Sequence, residues 1–318
     1  MARVLEMSNY PERNLLLYDN NGTIVGGLEI REHSRYISAD MLYRYCREIV
    51  QFPAGAVDWE IFHLQGDGST GSLLQRVDRS MVSPGNYVIL DPNRGPITIN
   101  VSPDREPRRV HSRSASSSQI ARGRQQFQRY FRDGLRERDR ACAITGQSFR
   151  LRDDPFNGLE AVHIYPVSRV SELVAQNYRR WITDDNNAGR IGETGLYSLQ
   201  NGLLLTANMH RTWDSFGVAV DPDADFKIVN FGEDTFEVGG RRLRNTAINP
   251  RDPNSRVSPD LLRWNLRMCL LRNMKGNAGT PQWDCDLGPD NIGEILAEPG
   301  AAERMEVELF TRLAPLIA

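Results

Sequence analysis

Two stretches of this sequence decide its fold. The first reads Leu159-Glu160-Ala161-Val162-His163-Ile164-Tyr165-Pro166, and the second reads Gln200-Asn201-Gly202-Leu203-Leu204-Leu205-Thr206-Ala207-Asn208-Met209-His210-Arg211-Thr212-Trp213-Asp214. The first is a short apolar run with a histidine near its end, which favours a strand. The second predicts an Asn-Gly turn, a three-leucine strand and then a helix. Together they predict a β-hairpin followed by a helix.

A hairpin and helix that carry His, Asn and His in this order resemble the HNH nucleases of the ββα-metal superfamily. The upstream stretch Arg136-Glu137-Arg138-Asp139-Arg140-Ala141-Cys142-Ala143-Ile144-Thr145-Gly146 is similar to a branch of that family common in fungi. The resemblance covers roughly residues 119–318. It implies an α+β fold in which an HNH ββα-metal core carries added helices.

The resemblance also implies roles for individual residues. His163 would be the general base, Asn201 would hold the strand and loop that aim it, and His210 would be a metal ligand. Asp214 lies one helical turn after His210, so both side chains share a helix face and could bind one ion. The expected cofactor is one divalent cation, Mg²⁺ or Mn²⁺. The expected reaction is hydrolysis of phosphodiester bonds in nucleic acid, with DNA favoured over RNA.

The residue before the expected base departs from many HNH nucleases, which have a metal-binding Asp or His there. Here it is Val162, which cannot bind a metal, although alanine is common at this position in the branch that the chain resembles. Glu160 is near in sequence, but strand alternation does not obviously aim it at the same ion. A Val162→Asp replacement should either tighten metal binding or, if Val162 is a core residue, destabilise the protein.

Composition limits the class of protein. The chain has 318 residues, 40% hydrophobic and 25% charged, which is typical of a soluble globular protein long enough for two domains. It has neither an apolar run of about 18 residues, which would predict a membrane span, nor a secretory signal at Met1–Glu6. We therefore expect a nuclear or cytoplasmic location. The four cysteines form no CxxC pair, and Thr145 stands three positions after Cys142, so no structural zinc is expected.

Residues 1–102 are predicted to form a small separate α+β domain. Two apolar runs flank Asp19–Gly22, a strong hairpin signal, and a helix should extend from Ser38 to about Gln51. Further strands are predicted at residues 59–64, 86–90 and 97–101. This order favours a β-grasp-like domain. His63 alternates with apolar neighbours and is predicted to be structural.

Basic residues are concentrated in one part of the chain. Residues 103–152 contain 13 arginines and 5 acidic residues, a local balance of +8 within a net charge of −2. Residues 103–119 have almost no apolar side chains, which predicts a flexible basic linker. The charge pattern fits contact with a polyanion, but a solvated linker and helix explain it equally well.

The nuclease-like domain, with a helical C-terminal extension, is expected over residues 120–318. Its first helix has an apolar face that should pack in the core, made of Phe127, Tyr130, Phe131 and Leu135. The arginines, mostly on the other face, should meet phosphates. The candidate nucleic-acid-binding residues are Arg122, Arg129, Arg132 and Arg136, and Arg138 and Arg140 belong to the same series.

The remaining elements are predicted from local patterns. A helix is expected at residues 170–181, a loop at 183–195, a hairpin at 218–221 and 226–231, a strand at 235–238, a helix from Ser258 to Gly276, and helices at 289–297 and 301–316. Cys269 and Cys285 are expected to pack rather than bind metal.

Two other functions are compatible with the same residues. One is a binding or regulatory protein that keeps the HNH scaffold without cleavage, which Val162 and the near-neutral total charge favour. The other is an enzyme that uses the His-lined pocket on a small molecule, because a fold does not fix a function. The sequence does not indicate an oligomeric state.

Overall fold

The computed structural model has a mixed α+β fold. It describes residues 4–8, 12–31, 36–52, 58–77, 80–104, 120–148, 155–186 and 188–276. Most of the predicted linker, the two predicted tail helices and Cys285 lie outside these ranges. Residues 1–112 and 118–278 belong to one compact unit, to which all the described residues belong.

The N-terminal part contains one main sheet and one helix. Its elements are β1 (Leu15–Tyr18), β2 (Ile24–Leu28), α1 (Ala39–Ile49), β3 (Val50–Gln51), β4 (Glu60–Leu64), β5 (Thr70–Leu74), β6 (Gly85–Leu90) and β7 (Asn100–Val101). The sheet order is β2-β1-β6-β4-β5. β1 and β6 are parallel, while the other pairs are antiparallel. Apart from the short β3 and β7, this is the strand order of a β-grasp fold.

Two N-terminal strands differ from the sequence prediction. β5 was not predicted, because only Leu74 in this edge strand is buried and the segment therefore lacks the alternation of a half-buried strand. The strand expected at residues 97–101 is reduced to β7, which pairs with β3 outside the main sheet.

The described residues downstream of residue 120 form a second group of elements. These are α2 (Ile120–Asp139), β8 (Leu159–His163), α3 (Val170–Ala175), α4 (Ala188–Ile191), β9 (Gly202–Thr206), α5 (Ala207–Asp214), β10 (Val218–Asp221), β11 (Lys227–Asn230), α6 (Asn245–Ile248) and α7 (Pro259–Asn273). β8 pairs with β9 and β10 pairs with β11, both antiparallel. Helix α5 follows β9 directly, as the sequence predicts.

Three local predictions are corrected. Residues 235–238 do not form a strand: a backbone hydrogen bond from Glu237 to Asp234 closes a turn, and the Asp234 carboxylate accepts hydrogen bonds from the Val238 and Gly239 amides. The helix expected at residues 170–181 is interrupted at Asn177, which has a left-handed backbone (φ 54°). The loop expected at 183–195 contains the short helix α4.

Helix α7 is buried almost all round, which is typical of a helix in the middle of a protein. It packs against α1 on one side and β10 on another, and one hydrophobic cluster continues from the N-terminal sheet through α7 to the β8–β9 hairpin. The Gly276 amide, just after α7, donates a hydrogen bond to Val25 on the edge strand β2 (2.8 Å).

An ion pair with a buried carboxylate also joins the two parts of the chain. Asp221, at the end of β10, is fully buried. Its carboxylate accepts hydrogen bonds from Arg44 (3.0 and 3.1 Å) and from the Tyr45 hydroxyl (3.0 Å), both on α1. This contact orders α1 against β10 through charge as well as packing.

In the part of the chain that the structure describes, no helix is both long and apolar enough to cross a membrane.

Candidate active site

The candidate site is built on the hairpin of β8 and β9. Its register sets Leu159 opposite Thr206 and His163 opposite Gly202. The predicted Asn-Gly turn is corrected here, because Gly202 is the first residue of β9 with an extended backbone. Glycine is required for packing, since a Cβ at Gly202 would lie 2.5 Å from the Phe131 ring of α2. Helix α2 therefore packs directly on this face of the hairpin.

His163 lies at the end of β8 in an aromatic setting. Its ring is stacked on Phe131, with centroids 4.0 Å apart and an interplanar angle of 7°. Tyr197 contacts it edge-on, at a centroid distance of 5.4 Å. These contacts restrict the ring to one plane. The side chains that the sequence predicted to be core on α2 thus also form one wall of the site.

Asn201 is fully buried beside His163. Its Oδ1 accepts a hydrogen bond from the Tyr165 amide (2.7 Å), and its Nδ2 donates to the carbonyls of Tyr165 (3.1 Å) and Leu196 (3.0 Å). The same Nδ2 lies 3.3 Å from His163 Nδ1. Asn201 therefore ties the end of β8 to the segment that precedes β9, and it does so next to the histidine ring.

His210, on α5, lies between two carboxylates. Its Nδ1 is 2.5 Å from Glu160 Oε2 and its Nε2 is 3.1 Å from Asp214 Oδ2. Burial lowers the pKa of His210, but hydrogen bonds to Asp214 and Glu160 raise it, and the net effect is a raised pKa. Without a cation, His210 is therefore stabilised as the imidazolium.

The two histidines have different partners around the hairpin. Side chains along a strand alternate, so His163 shares a face with Ala161, which packs against the cluster around Phe131. Glu160 projects from the other face and meets His210. The structure thus joins His163 with Asn201, and His210 with Asp214 and Glu160.

Glu160 is near the expected metal site in sequence, but it was not predicted to be a site residue. Strand alternation alone does not aim it at a metal, but the placement of α5 brings His210 to its carboxylate. The signal available in the sequence was a pair of carboxylates: Glu160, three residues before His163, and Asp214, four residues after His210.

Val162 is only 2% exposed and belongs to the main hydrophobic cluster. The position at which many HNH nucleases have a metal ligand is therefore occupied here by a core residue. The Val162 side chain packs in the core, whereas Glu160, on the same face of β8, makes the polar contact with His210.

The donor atoms near His210 suit a divalent cation in kind, since a carboxylate oxygen suits Mg²⁺ or Mn²⁺ and an imidazole nitrogen suits divalent transition metals. Among the residues that the structure describes, however, no group of three His, Cys, Asp or Glu is arranged to hold one ion. The His210 ring explains this, because it separates Glu160 from Asp214. His210 Nε2 and Asp214 are the pair whose donors fit a cation that keeps most of its water.

The four candidate arginines on α2 differ in their surroundings. Arg129 is exposed, and Arg132 is exposed but paired with Asp133 (2.9 Å). Arg136 is half-buried, and its guanidinium lies over the Phe156 ring at 5.0 Å. Arg122 lies in α2, but its side chain is outside the described part of the chain.

Arg138, predicted with this series, does not face solvent. Its side chain is 3% exposed. It is paired with the buried carboxylate of Asp139 and donates hydrogen bonds to the carbonyls of Leu199, Gly202 and Ser255. Asp139 in turn accepts from the Leu204 amide (3.0 Å), so this pair organises β9 rather than binding phosphate.

Comparison with known proteins gives one match. Residues 142–221 match the family model of HNH endonucleases, and the matched segment includes the β8–β9 hairpin, α5 and β10. No curated protein and no solved structure matches the chain significantly. The match indicates a nuclease-type function for this segment.

Proposed function

We propose that this chain, whose residues 142–221 carry an HNH endonuclease domain, is a metal-dependent endonuclease that hydrolyses phosphodiester bonds in nucleic acid, DNA rather than RNA. The observation that carries the proposal is the pairing of His210 with Asp214 on α5, in the same hairpin unit that holds His163 beside Asn201. The proposed preference for DNA over RNA rests on the resemblance to HNH nucleases.

His163 is the proposed general base. A histidine titrates near neutral pH and can take a proton from an attacking water. The Phe131 stack and the Asn201 amide restrict its ring, so that little rotational freedom is lost when the substrate binds. Asn201 acts in this scheme by fixing the position of His163.

His210 and Asp214 are the proposed metal ligands. A divalent cation bound there would neutralise charge on the phosphate and stabilise the departing 3′ oxygen. The residues themselves bring an imidazole and a carboxylate to one helix face, 3.1 Å apart. Few protein ligands are enough for Mg²⁺, which retains several waters.

The exposed arginines of α2 are the proposed phosphate contacts. Arg129 and Arg132 reach solvent from the helix that packs on the His163 face of the hairpin. Such contacts position nucleic acid without reading its sequence. Arg122 and Arg136 belong to the same proposal, with Arg136 partly engaged by Phe156.

The test is a plasmid-nicking assay on the full chain with Mg²⁺, Mn²⁺ or EDTA. We expect cleavage with either cation, none with EDTA, and none with His163→Ala. His63→Ala is the matched control, because the His63 ring packs at a tilt against Tyr87 in the N-terminal sheet and its replacement should leave cleavage unchanged. Absence of cation-dependent cleavage by the wild-type protein would contradict the proposed function, whereas normal cleavage by His163→Ala would contradict only the role of that residue.

A second candidate function is nucleic-acid binding without cleavage. Two observations favour it: Val162 is a core residue, and no three-ligand metal group is formed by the described residues. Salt-dependent binding of DNA, with no nicking under any cation, would establish this function in place of the first.

A further inference from the structure

Glu160 extends from β8 to the far side of the His210 ring. Its Oε2 lies 2.5 Å from His210 Nδ1, while Asp214 is 3.1 Å from Nε2. A neutral imidazole has one protonated nitrogen and one lone pair, and the partner of the protonated nitrogen decides which is which. Metal-binding histidines commonly donate this second N–H to a carboxylate, which orients the ring.

We infer that Glu160 is a positioning residue for His210: it accepts the Nδ1 proton and thereby presents the Nε2 lone pair, beside Asp214, to a divalent cation. This inference rests on the proposed metal-dependent function. It adds a residue from the strand to a site that the sequence had confined to one helix.

Both carboxylates lie within hydrogen-bonding distance of the ring, and the Glu160 side has the shorter separation. Two ligand atoms about 2.1 Å from an octahedral Mg²⁺, in neighbouring positions, lie about 3 Å apart. The 3.1 Å separation between His210 Nε2 and Asp214 Oδ2 fits such a pair. The 2.5 Å separation between His210 Nδ1 and Glu160 Oε2 is too short for it and fits a charge-assisted hydrogen bond.

The secondary-structure element that carries each residue supports the same two roles, with Asp214 as a ligand and Glu160 as the hydrogen-bond partner of the ring. His210 and Asp214 are one turn apart on α5, so their spacing is set by the helix. Glu160 comes from β8, and its side chain is half exposed. It can therefore orient the His210 ring from the strand, while the ion would bind to residues on one face of α5. Val162, two residues further along the same face, is buried and cannot perform this task.

The first measurement is calorimetric titration of the full chain with Mn²⁺. We expect about 10- to 100-fold weaker binding for Glu160→Ala. Glu160→Gln should lose less, because its amide oxygen still accepts the Nδ1 proton. Glu48→Ala is the control, since Glu48 forms an ion pair with Arg267 on α7, and it should bind Mn²⁺ as the wild type does.

The second measurement is nitrogen NMR of ¹⁵N-histidine-labelled protein with Zn²⁺, a diamagnetic probe. We expect Zn²⁺ to shift the Nε2 resonance of His210 while Nδ1 keeps its proton, and we expect Glu160→Ala to lose this preference for one tautomer. A purely structural role of Glu160 would leave the tautomer unchanged. A Zn²⁺ shift at Nδ1 would make Glu160 a direct ligand and overturn the inference.

The inference and the proposed function fail in different ways. If Glu160→Ala binds Mn²⁺ as tightly as the wild type while His210→Ala does not bind it, the inference is wrong and the metal site stands. If the wild-type protein binds neither Mn²⁺ nor Zn²⁺, both the inference and the proposed metal dependence are wrong. Thermal unfolding of each variant establishes that the fold is kept.

Discussion

His163 and His210 belong to the same hairpin unit but have different surroundings. His163 is held by an aromatic ring, a second ring edge-on and a buried amide. His210 is held by carboxylates at both ring nitrogens, and its pKa is raised. One setting restricts the orientation of the ring, and the other stabilises positive charge, whether a proton or a cation supplies it.

This contrast shows that the order His, Asn, His along the chain does not by itself describe one site. His163 has partners from α2 and from the segment before β9, whereas His210 lies on α5 and has a partner from β8. The following predictions test whether these two sets of contacts serve one reaction.

The largest effect is expected from His163→Ala. Loss of a general base should lower the cleavage rate at least about 100-fold. Because His163 is the proposed base and not a metal ligand, its replacement should leave Mn²⁺ affinity unchanged in calorimetry. His210→Ala should abolish both cleavage and Mn²⁺ binding. If His163→Ala also loses the metal, His163 takes part in metal binding and the comparison fails.

Val162→Asp should destabilise the protein strongly. The structure favours the packing role of Val162, so an added carboxylate would be buried in the main cluster, which should cost about 4 kcal/mol of unfolding free energy. Val174→Asp is the control, since Val174 is 62% exposed on α3 and should change stability little. Urea unfolding measures both. A folded Val162→Asp protein with tighter Mn²⁺ binding would instead place the ion beside β8.

Asn201→Ala should disturb the His163 face alone. It removes the partners of three backbone groups, at residues 165 and 196, and should lower the unfolding free energy by about 3 kcal/mol. Asn208→Ala, an exposed change on α5, is the matched control and should lie within about 0.5 kcal/mol of wild type. Unchanged stability of Asn201→Ala would show that these hydrogen bonds are replaced by water.

The smallest effect is expected from the arginines. Replacing Arg129 and Arg132 together with Ala should weaken DNA binding equally for all sequences and reduce the slope of log affinity against log salt by about 2. Arg242→Ala, at an exposed ion pair with Asp225, should leave the slope unchanged. Fluorescence anisotropy over a salt series measures it. An unchanged slope for the double variant means that α2 presents only a solvated face.

Local signals were sufficient for much of the fold. Residues 15–18, 86–90 and 218–221 have buried apolar patterns, and each forms a strand. The helix start at Ser258 could be predicted, because Ser followed by Pro is typical of a helix N-terminus. In the structure the Ser258 hydroxyl caps α7. Such features depend on a few neighbouring residues and are therefore visible in one sequence.

Other features depend on residues far apart in the chain. Glu160 could be assigned to His210 only once α5 was placed across the hairpin, 50 residues later. Arg138 looked like a surface arginine, although the carbonyls that bury it come from residues 199, 202 and 255. The partners of Glu160 and Arg138 are set by tertiary packing, which cannot be predicted from a local sequence pattern.

Helix α7 connects the segment that matches the HNH family to the N-terminal part of the chain. The segment that matches the HNH family ends at residue 221, but its strand β10 packs on α7, and α7 packs on α1. A fragment that begins at residue 120 would expose the apolar side of α7 and leave Asp221 without Arg44. Excising the segment that matches the HNH family would therefore cut through a shared core that extends from β1 to α7.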